Sequence, residues 1–223
     1  MVKIVISGYG KMGHMIEQAA LQKGVRVAGI TEDVCAFDPA VAAESVCIDF
    51  TTPDAFRKNF TTLASRFKAV VVGTTGWYDI KDEVFEAFRS SGTTLIWASN
   101  FSIGVNAFFA ALQKACEVLS RGEYSASVEE IHHIHKLDAP SGTAKSIAQI
   151  IGDALGCEVP IESKRIGEVP GTHIARFESP VDRLTFTHEA FSREGFALGA
   201  LQAALMSEDL ECGVYEFKDL ILK

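Results

Sequence analysis

The 223-residue sequence has few cysteines and no long uninterrupted apolar run. Its five cysteines are odd in number, widely spaced and never arranged as CxxC, which excludes a disulfide framework and a cysteine-based zinc module. No run of about 18 apolar residues occurs, so we expect no transmembrane segment. The first apolar run is too short for a signal peptide and follows no basic leader. We therefore expect a reduced protein of the cytoplasm.

The sequence also lacks an excess of positive charge. Lysine and arginine total 21 against 29 acidic residues, giving a formal net charge of -8. Sequence-independent binding of nucleic acid needs a basic surface, so we expect no nucleic-acid partner. A local basic pocket for an anionic small molecule remains compatible with this charge. The hydrophobic fraction of 48% is ordinary for a globular protein and excludes disorder of the whole chain.

Strand and helix patterns alternate through the first hundred residues. Apolar β-rich runs predict strands at 2–7, 25–30, 46–50, 69–72 and 93–98. Helical spacing predicts helices at 11–23, 53–67 and 80–88. The stretch 31–45 is too short for a long helix, so we expect a reduced crossover there. This alternation predicts a Rossmann-type, doubly wound parallel sheet of the α/β class.

The pattern changes near residue 101, which is the best domain boundary. The later sequence predicts helices at 103–119, 142–155 and 195–206, strands at 124–134 and 184–188, a loop-rich stretch at 157–180 and a terminal element at 214–222. Gly156 is placed to end the second of these helices. A smaller α+β domain is therefore expected after the parallel sheet.

The segment Gly8–Gly13, with the sequence GYGKMG, has the GxGxxG pattern. It follows a predicted strand and opens a predicted helix, and Glu32 lies 19 residues beyond Gly13, near the end of the second strand. A glycine-rich turn without a ligand is the alternative, but the agreement of these features favours NADH or NADPH. The predicted contacts are the helix start to the pyrophosphate and Glu32 to the ribose. The predicted cofactor residues here are Gly8, Tyr9, Gly10, Lys11, Met12, Gly13 and Glu32.

Two further loops follow strands of the predicted parallel sheet. One contains Gly73, Thr74 and Thr75, and the other contains Ala98, Ser99, Asn100 and Phe101. Loops beyond the carboxyl ends of such strands bind ligands in this architecture. Their small residues would let the backbone reach a nicotinamide or ribose, although simple turns are the alternative.

Three of the six histidines, His132, His133 and His135, lie within four residues and are followed by Lys136. We expect no metal, because Lys136 would repel a cation and no carboxylate or cysteine completes a clear ligand set. Structural histidines are a second interpretation. A site for an anionic substrate with a histidine proton donor is favoured, since a histidine can be protonated near neutral pH.

The neighbouring Pro-Ser-Gly-Thr segment opens a predicted helix. Ser141 or Thr143 could cap this helix, or the same helix start at Ser141, Gly142 and Thr143 could bind a carboxylate, with Lys136 as the counter-charge. A dicarboxylate substrate would explain two adjacent anion-binding features.

These motifs together resemble the dihydrodipicolinate reductase family, also described as 4-hydroxy-tetrahydrodipicolinate reductases. The resemblance covers nearly the whole chain and rests on five segments: GYGKMG at 8–13, DFTTP at 49–53, GTTG at 73–76, NFSIGVN at 100–106 and EIHHIHKLDAPSGTA at 130–144. The histidine-lysine segment is highly specific to that family.

The resemblance implies a reductase of lysine and diaminopimelate biosynthesis that transfers hydride from NADH or NADPH to a cyclic dicarboxylate. By analogy, His132 is the proton donor and Lys136 binds substrate, with a second proton-donor role often assigned to it. His133, Gly142 and Thr143 then contact substrate.

The resemblance also implies a homotetramer. It implies a dinucleotide-binding domain of residues 1–101 and 194–223, with a substrate-binding and oligomerisation domain at 102–193. The alternatives are another two-domain dehydrogenase of amino or hydroxy acids and a non-catalytic dinucleotide sensor. Neither accounts for the histidine-lysine segment.

Overall fold

The computed structural model describes residues 2–222, which form ten strands and eight α-helices. The strands are β1 (Lys3–Ser7), β2 (Arg26–Thr31), β3 (Val46–Asp49), β4 (Ala69–Val72), β5 (Thr94–Trp97), β6 (Ser125–His132), β7 (Ile161–Arg165), β8 (Gly171–Glu178), β9 (Arg183–Ala190) and β10 (Val214–Glu216). The helices are α1 (Lys11–Gln22), α2 (Pro39–Ala43), α3 (Pro53–Arg66), α4 (Lys81–Ser91), α5 (Ile103–Leu119), α6 (Gly142–Leu155), α7 (Glu194–Met206) and α8 (Phe217–Ile221). Within residues 2–222, no helix is long and apolar enough to cross a bilayer.

Six parallel strands form the first sheet in the order β10-β5-β4-β3-β1-β2. Successive residues of a strand point to opposite faces, so Ile4 and Ile6 pack with α1 and α7 whereas Val5 packs with α3 and α4. Both faces are covered, which explains the nearly continuous apolar runs of the central strands. The predicted doubly wound parallel sheet is confirmed.

Local sequence accounts for the crossovers of this sheet. Helices α2 and α3 each begin at a proline behind a capping side chain: Asp38 accepts the Ala40 N–H and Thr52 accepts the Ala55 N–H. The predicted short crossover at 31–45 is α2, a helix of 5 residues.

A second sheet has the strand order β7-β6-β8-β9. Strands β6 and β7 are parallel, and β8 is antiparallel to both β6 and β9. Helices α5 and α6 pack on one face of this sheet around an apolar core that includes Leu112, Ile147 and Phe177. Strand β9 alternates exposed and half-buried residues, so its other face is open.

The prediction for residues 157–180 is wrong in part. This stretch contains β7, of 5 residues, and β8, of 8 residues, which the sequence hides because they are bordered by Pro160, Gly167 and Pro170. Strand β6 ends at His132 rather than 134, because the chain turns there and the Lys136 N–H donates to the His133 carbonyl.

The chain divides into two compact units, each with its own sheet. One contains the chain up to Ser102 together with the segment from Glu194 onward, and the other is Ile103–Arg193. We refer to them as the first and second units.

Candidate active site

The glycine turn between β1 and α1 brings three backbone segments close together. A Cβ on Gly8, whose φ is +86°, would lie 2.6 Å from the Phe50 carbonyl oxygen. A Cβ on Gly13 would lie 2.3 Å from the Gly8 carbonyl oxygen. By contrast, apart from Gly10 itself and its neighbours along the chain, no described residue has an atom within 4 Å of a Cβ built on Gly10. The turn is therefore tightly packed at Gly8 and Gly13, whereas space is left free at Gly10, where α1 begins.

The first turn of α1 is suited to an anionic group. Its N-cap is Gly10, and the described residues supply neither a side-chain cap nor an acidic residue in that turn. The N–H groups of a helix start carry partial positive charge and need acceptors. Lys11 is exposed at this position. These features fit the pyrophosphate of a dinucleotide.

Glu32 lies beside the same turn, at the end of β2. Its Oε1 accepts the Tyr9 N–H at 2.7 Å, and the residue is exposed. The Tyr9 ring stacks on His14 with the ring centroids 3.9 Å apart, and its hydroxyl donates to Glu17. The carboxylate is thus held next to the glycine turn, as ribose binding requires.

A cleft of about 320 Å³ lies over the turn. It is lined by residues of the glycine turn and of the segments after β3 and β4, namely Gly10, Lys11, Met12, Phe50, Thr51, Pro53, Gly73, Thr74 and Thr75. A Cβ on Gly73 would lie 2.1 Å from the Phe50 ring, so the two segments touch at this glycine.

Asp49 links these segments beneath the cleft, and it is not among the predicted site residues. Its carboxylate accepts hydroxyl hydrogen bonds from Ser7 at 2.8 Å and Thr74 at 2.6 Å, and Thr51 donates at 3.1 Å. Burial raises the pKa of Asp49, although these hydrogen bonds act in the opposite direction. Its position at the end of β3 is the signal that could have identified it.

In the predicted loop at 98–101, two side chains belong to the core. Ala98 and Phe101 are buried, and the Phe101 ring lies 5.0 Å from that of Phe217. Asn100 Oδ1 accepts the Ser102 N–H at 2.8 Å. Any cofactor contact of Ala98 and Phe101 is therefore made by the backbone, as the sequence predicts, and Ser99 is the exposed residue.

In the second unit, Glu130 and His132 lie on the same face of β6, two residues apart. Glu130 Oε2 and His132 Nδ1 are 3.1 Å apart, and both residues are buried. Glu130 Oε1 accepts the Ser141 N–H at 3.0 Å and a guanidinium N–H of Arg165 at 3.1 Å. Burial opposes ionisation of Glu130, but the polar groups of Ser141, Ser163 and Arg165 prevail and lower its pKa to about 2.

Burial lowers the pKa of His132. The Glu130 carboxylate acts in the opposite direction, whereas Lys136 and Arg165 lower the pKa further. A histidine with a lowered pKa is mostly neutral at pH 7. The expectation of a readily protonated histidine therefore does not describe the ligand-free site.

The other predicted residues lie in the segment after β6, and each contacts a different partner. The ammonium group of Lys136 donates to Asp138 Oδ1 at 2.7 Å. His133 Nε2 accepts from the Arg193 guanidinium at 2.9 Å, and His135 Nε2 is 3.0 Å from Glu168 Oε1 at an exposed position. Arg193 is not among the predicted site residues, because only folding brings it to His133.

Ser141 is the N-cap of α6. Its hydroxyl accepts the Ala144 N–H at 3.2 Å and lies 3.4 Å from His173 Nε2, and the residue is 3% exposed. Of the two capping candidates, the structure uses Ser141. Gly142 and Thr143 follow as the first helical residues, where backbone N–H groups point outward along the helix axis.

The reason given for expecting no metal is wrong in one respect. Potential ligand atoms of Glu130, His132 and His173 lie within 4.8 Å of one another, so a carboxylate and a second histidine do meet His132. The cations Arg165 and Lys136 still oppose a metal ion here, since both lower the pKa of His132.

Parallel sheets of this winding, with a glycine turn feeding an uncapped helix and a carboxylate after the next strand, bind NAD or NADP. The chain is a two-domain oxidoreductase of the NAD(P)H-dependent class. The family models for dihydrodipicolinate reductase match it along almost its whole length, the N-terminal model at residues 2–101 and the C-terminal model at 104–221. The chain belongs to the dihydrodipicolinate reductase family.

Individual relatives agree with this assignment. A 4-hydroxy-tetrahydrodipicolinate reductase of Christiangramia forsetii is 39% identical, with 99% of this chain and 98% of the relative covered. The enzyme of that name from Akkermansia muciniphila is 34% identical over the same shares. A dipicolinate-bound dihydrodipicolinate reductase from Paenisporosarcina sp. TG-14 has the same fold, with a TM-score of 0.84, 19% identity and 99% of each chain covered. The resemblance seen in the sequence is confirmed, and the family reading is favoured over the alternative dehydrogenase and sensor.

Proposed function

We propose that the protein reduces 4-hydroxy-tetrahydrodipicolinate to tetrahydrodipicolinate with NADH or NADPH, in the lysine and diaminopimelate pathway. The observation that carries this proposal is the buried Glu130–His132 pair at the end of β6, beside the capped start of α6 and Lys136. Such a grouping offers a proton donor, a cation and backbone N–H groups to one dianionic ring. Family membership supplies the substrate class.

The first unit holds the cofactor in this proposal. The pyrophosphate takes the start of α1, Glu32 takes the ribose, and the segments at 73–75 and 98–101 take the nicotinamide end. When bound, the nicotinamide supplies a hydride to the substrate ring. The chain's own contribution is to orient the dinucleotide, and Asp49 fixes Thr51 and Thr74 at the floor of the cleft for that purpose.

The second unit holds the substrate. Gly142 and Thr143 bind one carboxylate at the start of α6, and Lys136 binds a carboxylate after leaving Asp138. Ser141 contributes by fixing the helix start, and His133 lines the site beside Arg193. The substrate's two negative charges favour the protonated form of His132, opposing the burial that keeps it neutral in the free protein.

Proton transfer is assigned to His132. The overall change adds a hydride and a proton to the ring and releases the 4-hydroxyl group as water. Negative charge develops toward the ring nitrogen as the hydride arrives, and the His132 imidazolium supplies the proton. Lys136 stays positive and stabilises the developing charge.

A homotetramer of the cytoplasm is proposed for the assembled protein. Helices α5 and α6 cover one face of the second sheet, and the other face of β9 exposes alternate residues, including Thr185 and Thr187. An open sheet face of this kind is available to a second subunit. The five cysteines are free thiols, in keeping with a reducing compartment.

The direct test follows NADH and NADPH oxidation in the presence of the product of dihydrodipicolinate synthase. The proposal predicts oxidation of at least one cofactor that depends on that product. If neither NADH nor NADPH is oxidised, the proposal is wrong. An amino- or hydroxy-acid dehydrogenase would instead reduce NAD or NADP with such an acid, and a sensor would bind the dinucleotide without turnover.

A further inference from the structure

Four polar side chains form one row across the second sheet, on the face covered by helices. In the strand register, Glu130 of β6 lies opposite Ser163 of β7 and His173 of β8, and His173 lies opposite His188 of β9. Two positions along, the equivalent row is apolar and consists of Ile161, Val128, Ala175 and Phe186. The polar row therefore lies next to the apolar core, on the side toward His132 at the end of β6.

Glu130 is the anion of this row. Burial lowers the pKa of His173 to about 4 and also lowers that of His188, so both are neutral at pH 7. Glu130 is ionised, with a pKa of about 2. Its Oε1 accepts hydrogen bonds from Ser141 and Arg165. Its Oε2 and His132 Nδ1 are 3.1 Å apart, and neither atom has a hydrogen-bond partner among the described residues.

This arrangement selects one form of the His132 ring. The 3.1 Å contact is electrostatic and not aligned as a hydrogen bond. An ionised carboxylate attracts a proton and repels a lone pair, so the Nδ1 beside Glu130 is favoured as the protonated nitrogen. The proton to be transferred is then carried at Nε2. Gly171 lies against that edge of the ring, where a Cβ would come within 3.0 Å of Nε2 and 3.3 Å of Cδ2. Glycine at this position leaves the Nε2 edge uncovered.

We propose that Glu130 is a positioning residue that holds His132 with Nδ1–H toward the sheet, so that proton transfer to substrate passes through Nε2 on the side left open by Gly171. This inference rests on the proposed function and deepens it. It assigns a role to a residue that does not itself contact substrate.

Charged and titratable groups reach His132 from every element around it. They are Glu130 on β6, His133 and Lys136 in the segment that follows, Arg165 on β7 and His173 on β8. Glu130 is the carboxylate among them and the group that raises the His132 pKa. Removing its charge therefore lowers the pKa of His132 further and reduces the protonated fraction at a given pH.

The test compares Glu130→Gln with Glu129→Gln. Gln keeps the size of Glu130 and can still accept from Ser141 and Arg165, but it presents an amide N–H₂ to His132 Nδ1. Glu129 is the matched control, because it is adjacent on β6, buried, and paired on the other face with Lys164 and Arg176. Both variants remove one negative charge.

Two readouts separate positioning from general damage. We expect Glu130→Gln to lower kcat by about 10- to 10³-fold and to move the loss of activity at rising pH to a lower pH. We also expect nitrogen NMR of the ligand-free protein to show His132 changing from the Nδ1–H to the Nε2–H form. Glu129→Gln should leave the pH profile and the tautomer unchanged.

An unchanged pH profile and tautomer in Glu130→Gln would overturn the inference, as would equal changes in Glu129→Gln. If Glu130→Gln does not fold, Gly171→Ala gives an independent test: covering the Nε2 edge should lower kcat while His132 keeps its Nδ1–H form, and normal kcat would count against the proposal. Failure of the proposed function would appear separately, as a wild-type protein without turnover. The tautomer measurement would still decide the role of Glu130 in that case.

Discussion

At the residue scale, His132 and Lys136 have different expected effects on catalysis. His132→Ala removes the proposed proton donor and should lower kcat by about 10²–10⁴-fold with a smaller change in KM. Lys136→Ala should lower kcat and raise KM, because it removes the proposed substrate contact together with the proposed charge stabilisation. Steady-state kinetics distinguish the two, and exposed His135→Ala is the control expected to match wild type.

A His132→Ala variant with normal kcat would contradict this assignment. It would make His132 a structural residue and transfer the proton-donor role to Lys136 or to a bound water. NADH affinity is expected to be almost unchanged in all three variants, since the glycine turn and Glu32 belong to the first unit.

We expect Lys11 to determine how well a 2′-phosphate is tolerated. Glu32 and the adjacent Asp33 repel that phosphate, whereas Lys11 is the cation within the glycine turn. We expect NADH to be used at least as well as NADPH, and Lys11→Ala to raise the KM for NADPH more than the KM for NADH. Kinetics with both cofactors test this. A strong preference for NADPH in wild type would show the first expectation wrong, and equal losses in Lys11→Ala would limit Lys11 to the pyrophosphate or to packing.

The residues that the sequence missed share one property: their neighbours come from distant segments. Glu130 meets Arg165 and His173 only once β7 and β8 pair with β6. The motif identified His132 and Lys136, and period-two alternation along β6 could have added Glu130 to the same face. It could not supply the strand register that brings His173 opposite.

At the scale of elements, the second sheet makes stability depend on pH through His173. Its folded-state pKa of about 4 lies below the ordinary value of 6.5, so the unfolded chain binds more protons between these values. Stability therefore rises with pH across that window and falls as the solution is acidified. A shift of this size corresponds to about 3 kcal/mol.

Unfolding by urea at a series of pH values checks this prediction. His173→Asn should flatten the free energy of unfolding between about pH 4 and 6.5, whereas exposed His135→Asn should keep the wild-type slope. If the free energy of unfolding of His173→Asn keeps the wild-type dependence on pH, burial of this histidine does not cause the loss of stability at acid pH. Below about pH 4 a further loss is expected as Glu130 is protonated toward its pKa of about 2.

The helices and strands differ in how well the local sequence predicts them. Helices α5 and α6 have the predicted bounds, because apolar spacing and the Gly156 stop act within one segment. Strands β7 and β8 were missed since their stability comes from pairing with β6, which no local pattern records. The parallel sheet was predictable as a class because its central strands are buried on both faces.

At the scale of the whole molecule, assembly is the prediction that depends on the second sheet. The open face of this sheet carries Glu129, Ile174 and Thr187, which lie opposite one another on neighbouring strands. Within the described chain, helices α5 and α6 pack on the other face. We expect a tetramer by light scattering at micromolar concentration. Ile174→Arg, which adds charge at the centre of this face, should reduce the mass. A monomeric wild-type mass would contradict the prediction.

In the proposed reaction, hydride from the bound nicotinamide reaches a ring whose proton comes from the chain. The most direct measurement uses NADH carrying deuterium at the transferred position and mass spectrometry of the product. We expect tetrahydrodipicolinate with one deuterium, formed in step with cofactor oxidation and in a much smaller amount with His132→Ala. Oxidation of the cofactor without deuterium in the product, or no oxidation at all, would contradict it.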